Sequence, residues 1–351
     1  MSLTRITRGF AGACLAGVLL SAGCGTSTVS HNGASGASAG SAGTAAASQP
    51  ILGYAWDSSR AGLRTMFGVP GAAALSDSVV TNGPFASAIL CLRQSYVLLT
   101  GSSGNLSIMP LPGGEPTLIS SSLQNQQVTV SPSCSKALAY IRGSSSGVAF
   151  TGLPSTPGLE QVNFSVPGSI TAAVVGDLGD LALAVLRSDG TTAIQVLSSS
   201  GSLTAPLAVL QTYGAMTFIP GSDTVLVADS DSNRIAMVSH PSNSPVTTQL
   251  ASSADGVSQP LAIASSADGR EAFVANAVGV PLLRLDLATN SPPLKVSCTC
   301  RPSELIPLSG NALFQISDLT SGTIYVLDGA PAIPRTLFIP ASNGALSRGA
   351  R

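Results

Sequence analysis

The sequence predicts an all-β fold, a β-propeller of seven blades with four antiparallel strands in each. Three observations lead to this prediction: the main body lacks helical periodicity, one hairpin-like segment recurs along it, and the turn centres repeat about every 42–47 residues. A period of roughly 40–50 residues with several short strands per unit is typical of propeller blades. A pair of β-sandwiches is the competing fold, but regular spacing over seven units favours the propeller.

The recurring segment has an apolar or alternating strand, a small polar turn and a second alternating strand. Its turns are rich in Gly, Ser, Asn and Asp, which tight hairpins with positive φ require. The seven copies occupy residues 51–69, 96–111, 138–153, 181–197, 225–240, 272–287 and 312–328.

Each interval between hairpins contains two further strand candidates, which brings every unit to four strands. Between the second and third hairpins they are residues 117–121 and 127–131, and between the fourth and fifth they are 207–210 and 215–219. Continuous apolar runs, such as residues 181–186, indicate strands that are buried on both faces between stacked sheets.

The first blade is incomplete at its N-terminal side. Residues 51–56, 63–69 and 75–80 give three strands, and the residues before them have a linker composition. We expect either an imperfect closure or a strand supplied from elsewhere, with residues 345–347 or 44–48 as the candidates.

The N-terminal segment has the features of an export signal. Arg5 and Arg8 provide the positive charge, residues 10–20 are apolar, and small residues precede Cys24. This segment resembles the lipobox of bacterial lipoproteins, which implies removal of residues 1–23 and lipidation of the Cys24 thiol. An ordinary secretory signal that is cut nearby is the alternative.

Gly, Ala, Ser and Thr dominate residues 24–50, which predicts a flexible tether with an end-to-end distance of roughly 25–30 Å. Residues 51–341 then form the propeller, and residues 342–351 form a C-terminal tail. The expected location is the bacterial cell envelope, on the periplasmic or the outer surface. The N-terminal lipid is expected to hold the protein at the membrane.

The composition excludes several functions. The chain has 16 basic and 17 acidic residues among 351, so no basic face is available for nucleic acid. It has two histidines and neither a Gly-rich phosphate loop nor a nucleophile elbow. We therefore expect no cofactor and no metal.

Two segments carry a family resemblance. Residues 264–276 resemble the repeat of YVTN-type propellers, in which a turn with Asp-Gly-Arg separates two strands and the second strand ends in Ala-Asn. Residues 227–235 are similar to repeats shared by YVTN and NHL propellers, and residues 131–140 resemble the same unit with an altered turn. The resemblance implies the seven-bladed architecture, which hosts both enzymes and pure binders.

Some propellers of this kind are lactonases, so the resemblance also raises a hydrolytic function. Asp229, Asp231 and Arg234 cluster in one hairpin turn and are the catalytic candidates. Asp and Asn at such a turn more often form local hydrogen bonds. A catalytic role for His240, which is followed by Pro241 in a loop, is disfavoured.

Four cysteines remain after Cys14 and Cys24 are set aside. Alignment of the repeats places Cys91 beside Cys134 at the turns between the first two strands of neighbouring blades. We predict one disulfide between them and a second between Cys298 and Cys300, on the opposite face. A redox-active or metal-binding thiol pair is the alternative for Cys298 and Cys300.

The leading functional prediction is a binding or scaffold module that acts through a rigid face of the ring. Its partner is an envelope protein or a small ligand of unknown identity. A lactonase-like or other hydrolytic propeller is the alternative. Acidic side chains that converge at the axial channel would favour the enzyme, and apolar or small side chains there would favour the binder.

Overall fold

Seven antiparallel β-sheets make up the computed structural model, which describes residues 49–340 except 82, 122, 124, 125, 290 and 320–322. Each sheet is one blade of a β-propeller, and blades are numbered here in chain order. Blade 1 has three strands among the described residues, and the other six blades have four. All described residues belong to one compact unit of the chain, Ser48–Arg351. The predicted all-β, seven-bladed propeller is confirmed.

In every blade, strands that are consecutive in sequence are neighbours in the sheet. The strands of blades 1 to 4 are β1 (Ile51–Asp57), β2 (Gly62–Val69), β3 (Ala72–Val79), β4 (Phe85–Leu90), β5 (Tyr96–Gly101), β6 (Leu106–Pro110), β7 (Thr117–Ser120), β8 (Gln127–Val130), β9 (Ala137–Tyr140), β10 (Ser146–Thr151), β11 (Gly158–Asn163), β12 (Ser169–Val175), β13 (Leu181–Leu186), β14 (Thr192–Leu197) and β15 (Ala208–Leu210).

The strands of blades 5 to 7 are β16 (Tyr213–Phe218), β17 (Val225–Asp229), β18 (Arg234–Ser239), β19 (Val246–Ala251), β20 (Pro260–Ser265), β21 (Glu271–Asn276), β22 (Leu282–Asp286), β23 (Leu294–Val296), β24 (Ile306–Pro307), β25 (Leu313–Gln315), β26 (Ile324–Asp328) and β27 (Arg335–Ile339). One 3-10 turn, Ser253–Asp255, lies before β20. Within the described part of the chain, no helix is both long and apolar enough to cross a membrane.

Burial falls from the second strand of a blade to its fourth. The second strands β9 and β17 are buried along their whole length, whereas the fourth strand β11 is exposed at most positions. First strands of neighbouring blades contact one another, as β12 and β16 do. The first strands therefore surround the ring axis, and the fourth strands form the outer edge of the ring. The second strands lie between these two zones, which explains their continuous apolar composition.

Among the residues that the structure describes, the hydrophobic core is divided into seven clusters, and each cluster joins two neighbouring blades. One of these clusters packs Leu52 and Met66 of blade 1 against Leu313 and Ile324 of blade 7. The last blade thus contacts the first directly, and apolar burial closes the ring.

Blade 1 lacks an innermost strand among the described residues. Its first turn starts at Asp57 and has a positive φ at Ala61, four residues later. The turn in blade 5 that starts at Asp229 has the same pattern, with a positive φ at Asn233. Since the blade 5 turn joins a second strand to a third, β1 corresponds to a second strand. The three strands predicted for this blade are observed. Residues 44–48 and 345–347, the candidates for the missing strand, lie outside the described residues.

Candidate functional site

The turns of a propeller lie at two opposite faces of the ring, because consecutive strands run antiparallel. We call the face with the turns between first and second strands the first-turn face. Its turns span residues 91–95, 131–136, 176–180, 219–224, 266–270 and 308–312. The opposite face, with the turns between second and third strands, is called the second-turn face.

A cavity of about 180 Å³ lies on the ring axis. It is formed mainly by the last residues of the first strands and by the turns that follow them, so it lies toward the first-turn face. Its lining residues are Ile89, Leu90, Cys91, Leu92, Val130, Ser131, Pro132, Thr217, Ile263, Ala264, Ser265, Leu305, Pro307 and Phe314. We call it the axial cavity.

The lining of the axial cavity is apolar or carries a hydroxyl group. None of its lining residues is Asp, Glu, Lys, Arg or His, and the one cysteine among them is in a disulfide. General acid–base catalysis needs a titratable side chain within hydrogen-bond reach of the substrate. The described lining residues can therefore hold an apolar group, and none of their side chains supplies a general acid or base at neutral pH.

The turns of the first-turn face are joined to one another by side chains. The Asp177 carboxylate in blade 4 accepts the Ser133 amide of blade 3 at 2.6 Å and the Gly221 amide of blade 5 at 2.9 Å. Asn311 of blade 7 plays a similar role, since its Oδ1 accepts the amide of Asp268 in blade 6 at 2.9 Å. These hydrogen bonds fix the rim of the axial cavity across five blades.

Blades 2 and 3 are joined covalently on the same face. Cys91 follows β4, Cys134 lies in the turn between β8 and β9, and the structure links them by a disulfide with a Cα–Cα distance of 5.4 Å. Both residues are buried, and the hydroxyl group of Tyr96 donates to the Cys134 carbonyl oxygen at 2.8 Å. This bridge joins the two turns covalently, and it stabilises the fold because it closes a long loop.

Blade 2 also reaches blade 7 across the innermost position of blade 1. The side-chain amide of Gln94 donates to the Pro307 carbonyl oxygen at 2.6 Å, and Gln94 is buried. Gly53 of β1 permits this approach, because a Cβ atom there would lie 2.9 Å from Gln94 Oε1 and 2.7 Å from Leu308 Cδ2. Side chains thus pack against β1 where a complete blade has an inner strand.

The candidate catalytic residue Asp229 is almost fully buried at the end of β17. Its Oδ1 accepts the amides of Thr212 and Ser232, and its Oδ2 accepts the Gln211 amide and the Arg234 guanidinium. Burial alone would raise the pKa of Asp229, but these hydrogen bonds outweigh it and hold the pKa below the usual value. Such a carboxylate stabilises the turn and is a weak base.

Asp231 and Arg234 complete the predicted cluster. Asp231 accepts the hydroxyl group of Thr212 at 2.6 Å, and Arg234 forms an ion pair with Asp229 at 3.1 Å. Asp229 and Arg234 line a cavity of about 270 Å³ between blades 4 and 5. The three residues belong to the second-turn face, so the structure does not bring them to the axial cavity.

Glu304 is an ionisable residue near the axis that the sequence did not single out. It precedes Leu305, a lining residue of the axial cavity, and it accepts the buried Gln315 amide at 3.3 Å. Burial raises the pKa of Glu304, and the neighbouring Asp318 carboxylate adds to this rise. The sequence contained one signal for Glu304: it is an acidic residue beside a first strand, in a chain with only 9% charged residues.

Cys298 and Cys300 lie in the connection from β23 to β24, on the second-turn face, and the structure links them by a disulfide. They line a cavity of about 470 Å³ together with Arg301, Pro302 and the turn after β21. The two bridged pairs therefore occupy opposite faces of the ring.

Solved structures share this fold. A functionally unknown protein from Desulfotomaculum acetoxidans DSM 771 superposes with a TM-score of 0.54 at 14% identity, over 84% of this chain and 96% of that chain. The structure of U3-55K superposes with a TM-score of 0.50 at 9% identity, over 75% of this chain and 84% of that chain. No protein family matches the sequence, and no curated protein is significantly similar to it. These similarities show the fold alone.

Proposed function

We propose that this protein is an exported, lipid-anchored propeller that binds a partner at the first-turn face and performs no chemistry there. The observation that carries the proposal is the lining of the axial cavity, which has apolar and hydroxyl side chains and no ionisable one. Apolar pockets with a few polar groups are the usual binding sites of rigid scaffolds.

The size of the axial cavity indicates the kind of partner. About 180 Å³ is smaller than the roughly 300–1,000 Å³ of sites for drug-sized molecules. It suits one apolar side chain, the kind of anchor that dominates protein–protein affinity. The rim around it is held by Asp177, Asn311 and the Cys91–Cys134 bridge, so little ordering is required when the partner binds. We therefore propose a protein partner in the cell envelope.

The proposed anchor is Cys24, with residues 1–23 removed and residues 24–50 acting as the tether. The small residues before Cys24 and the Gly/Ala/Ser composition after it support this. Mass spectrometry of the N-terminal peptide is expected to show a lipid on Cys24, and the Cys24→Ser variant is expected in the aqueous fraction. An unmodified N-terminus with unchanged membrane association of that variant would contradict the anchor.

The YVTN or NHL type of this propeller is also a proposal. Residues 264–276 comprise the end of β20, a turn at Asp268 and Gly269, and β21, which ends at Asn276. This arrangement of strand, turn and strand is the one that the sequence resemblance implies.

Site-specific photo-crosslinking tests the binding face. Arg93 is exposed in the turn next to the Cys91 end of the axial cavity, and Thr247 is exposed on the fourth strand of blade 5. A photoreactive residue at position 93 is expected to give a discrete adduct in intact cells, and one at position 247 is not. Equal labelling at both positions would contradict the proposal.

The hydrolytic alternative predicts a different outcome. It requires turnover of a lactone by the purified protein, with loss of turnover in Asp229→Asn and Asp231→Asn. The burial and saturated hydrogen bonding of Asp229 argue against this activity. Lactone turnover without any adduct at position 93 would support the hydrolytic function and contradict the binding proposal.

A further inference from the structure

We infer that Cys298 and Cys300 form a thiol–disulfide exchange site, which takes a protein segment with two nearby cysteine thiols as its substrate. The site lies on the second-turn face, so it does not depend on the proposed binding at the axial cavity. Four observations carry the inference: the position of the disulfide in a cavity, its anchored loop, its short ring and its hydrogen bond.

The disulfide forms one wall of a cavity of about 470 Å³. Both cysteines are half-buried, and Thr299 between them is exposed. The turn after β21, which includes the exposed Val278 and Gly279, lines the same cavity. The volume of this cavity is enough for a short extended peptide beside the two cysteines.

The walls of this cavity are held in place. The side chain of Asn276 donates to the carbonyl oxygens of Gly256 and Val280 at 3.0 Å and 2.7 Å, which fixes the turn. The cysteine loop is anchored on both sides, because the Ser297 carbonyl accepts the Thr336 hydroxyl group and the Ser303 amide donates to blade 7. A disulfide and a turn that are both held in place along one cavity form a preorganised site.

The length of the loop argues against a purely stabilising bridge. Cys298 and Cys300 are separated by 2 in sequence, whereas Cys91 and Cys134 are separated by 43. A disulfide stabilises a fold mainly by restricting the unfolded chain, and this effect increases with the length of the closed loop. The Cys298–Cys300 bridge therefore contributes least to stability and is the more dispensable of the two.

The local geometry assigns a role to each sulfur. The Cys300 amide donates to Cys298 Sγ at 3.1 Å. A hydrogen-bond donor to a sulfur atom favours its thiolate form. Cys298 is thus the better leaving group, and an incoming thiolate attacks Cys300.

The reaction balances without a further reactant. A substrate thiolate attacks Cys300 Sγ, the Cys298–Cys300 bond breaks, and Cys298 leaves as a thiolate that takes a proton. The second substrate thiolate then attacks the substrate sulfur of the mixed disulfide and releases Cys300 as a thiolate, which is protonated in turn. The substrate dithiol is oxidised to a disulfide and the protein disulfide is reduced to two thiols.

The alternative of a metal-binding thiol pair has less support. Among the described residues, no group of three or more His, Cys, Asp or Glu side chains is placed to hold a metal ion. Two sulfurs alone give half of the four ligands that a structural zinc site uses.

A redox titration of the full-length chain tests the inference. The protein is equilibrated with increasing dithiothreitol, alkylated and digested, and the thiols at both bridges are counted by mass spectrometry. Reduction of Cys298–Cys300 is expected at a dithiothreitol concentration about 10-fold or more below that for Cys91–Cys134, with an unchanged circular dichroism spectrum. Reduction of both bridges together, only as the fold is lost, would overturn the inference.

Two further measurements separate exchange from a structural role. Excess reduced glutathione is expected to leave its adduct on Cys300, and an adduct mainly on Cys298 would overturn the assigned roles. The Cys298→Ser/Cys300→Ser variant is expected to keep the unfolding midpoint of the wild type. A marked drop in that midpoint would identify the bridge as structural.

Discussion

Gln94 in blade 2 donates a hydrogen bond to the Pro307 carbonyl oxygen in blade 7 at 2.6 Å, although 213 positions separate the two residues in the sequence. Blade 1 lies between these two blades in the ring but has no described inner strand. The Gln94 side chain occupies part of that position, next to Gly53 of β1. Among the described residues, this side-chain packing and a backbone hydrogen bond from the Ser309 amide to the Leu52 carbonyl oxygen at 2.9 Å therefore help to close the ring.

Gly53→Val is expected to destabilise the ring by about 1–3 kcal/mol, the usual cost of overpacking a buried site. The new side chain would contact Leu308 and Gln94 at distances shorter than van der Waals contact allows. Urea denaturation measures the loss. Gly113→Val is the matched control, since a Cβ atom at Gly113 has no neighbour within 4 Å. Equal stability of the two variants would contradict this description of the closure.

Asp177→Ala is expected to lower the free energy of unfolding by about 1–3 kcal/mol, because the Ser133 and Gly221 amides each lose a charged acceptor. Thermal unfolding followed by circular dichroism measures the effect. Asp189→Ala is the control, since the hydrogen bonds that Asp189 accepts are local ones from Thr191. If both variants unfold at the temperature of the wild type, Asp177 does not fix the rim.

Cys91→Ser/Cys134→Ser is expected to lose about 2–4 kcal/mol of stability, the typical contribution of a disulfide that closes a loop of this length. Guanidinium denaturation of the variant and of the wild type gives the difference. A loss below about 1 kcal/mol would mean that apolar packing and the Tyr96–Cys134 hydrogen bond are sufficient to hold blades 2 and 3 together.

Asp229 gives a pH-dependent prediction. Its pKa is lower in the folded protein than the usual 3.8, so its stabilisation is complete well above that pH and is lost as the pH falls through the lowered value. Asp229→Asn is expected to be less stable than the wild type by about 1–3 kcal/mol at pH 6, with the difference shrinking at pH 3. Urea titrations at both pH values measure it, and a pH-independent difference would contradict the assignment.

Local periodicity was sufficient to predict the seven hairpins, because each blade repeats the same succession of apolar strand and Gly/Ser/Asp turn. It also gave the three strands of blade 1 and the placement of the four body cysteines on two faces. The Gln94–Pro307 contact and the Asp177 bridge could not be predicted in this way. They join turns that are distant in sequence and meet only after the ring has closed. Glu304 was not predicted as a site residue, because its burial depends on how blade 7 packs in the folded ring.

Binding at the axial cavity is tested most directly by photo-crosslinking from position 93 in the wild-type background and in Thr217→Phe. Thr217 lines the cavity, so a phenyl ring there is expected to fill part of it. Thr247→Phe, on the exposed fourth strand of the same blade, is the control. We predict an adduct from position 93 that is lost in Thr217→Phe and kept in Thr247→Phe, with the fold of both variants intact. An adduct that is unchanged in Thr217→Phe would contradict binding at the axial cavity.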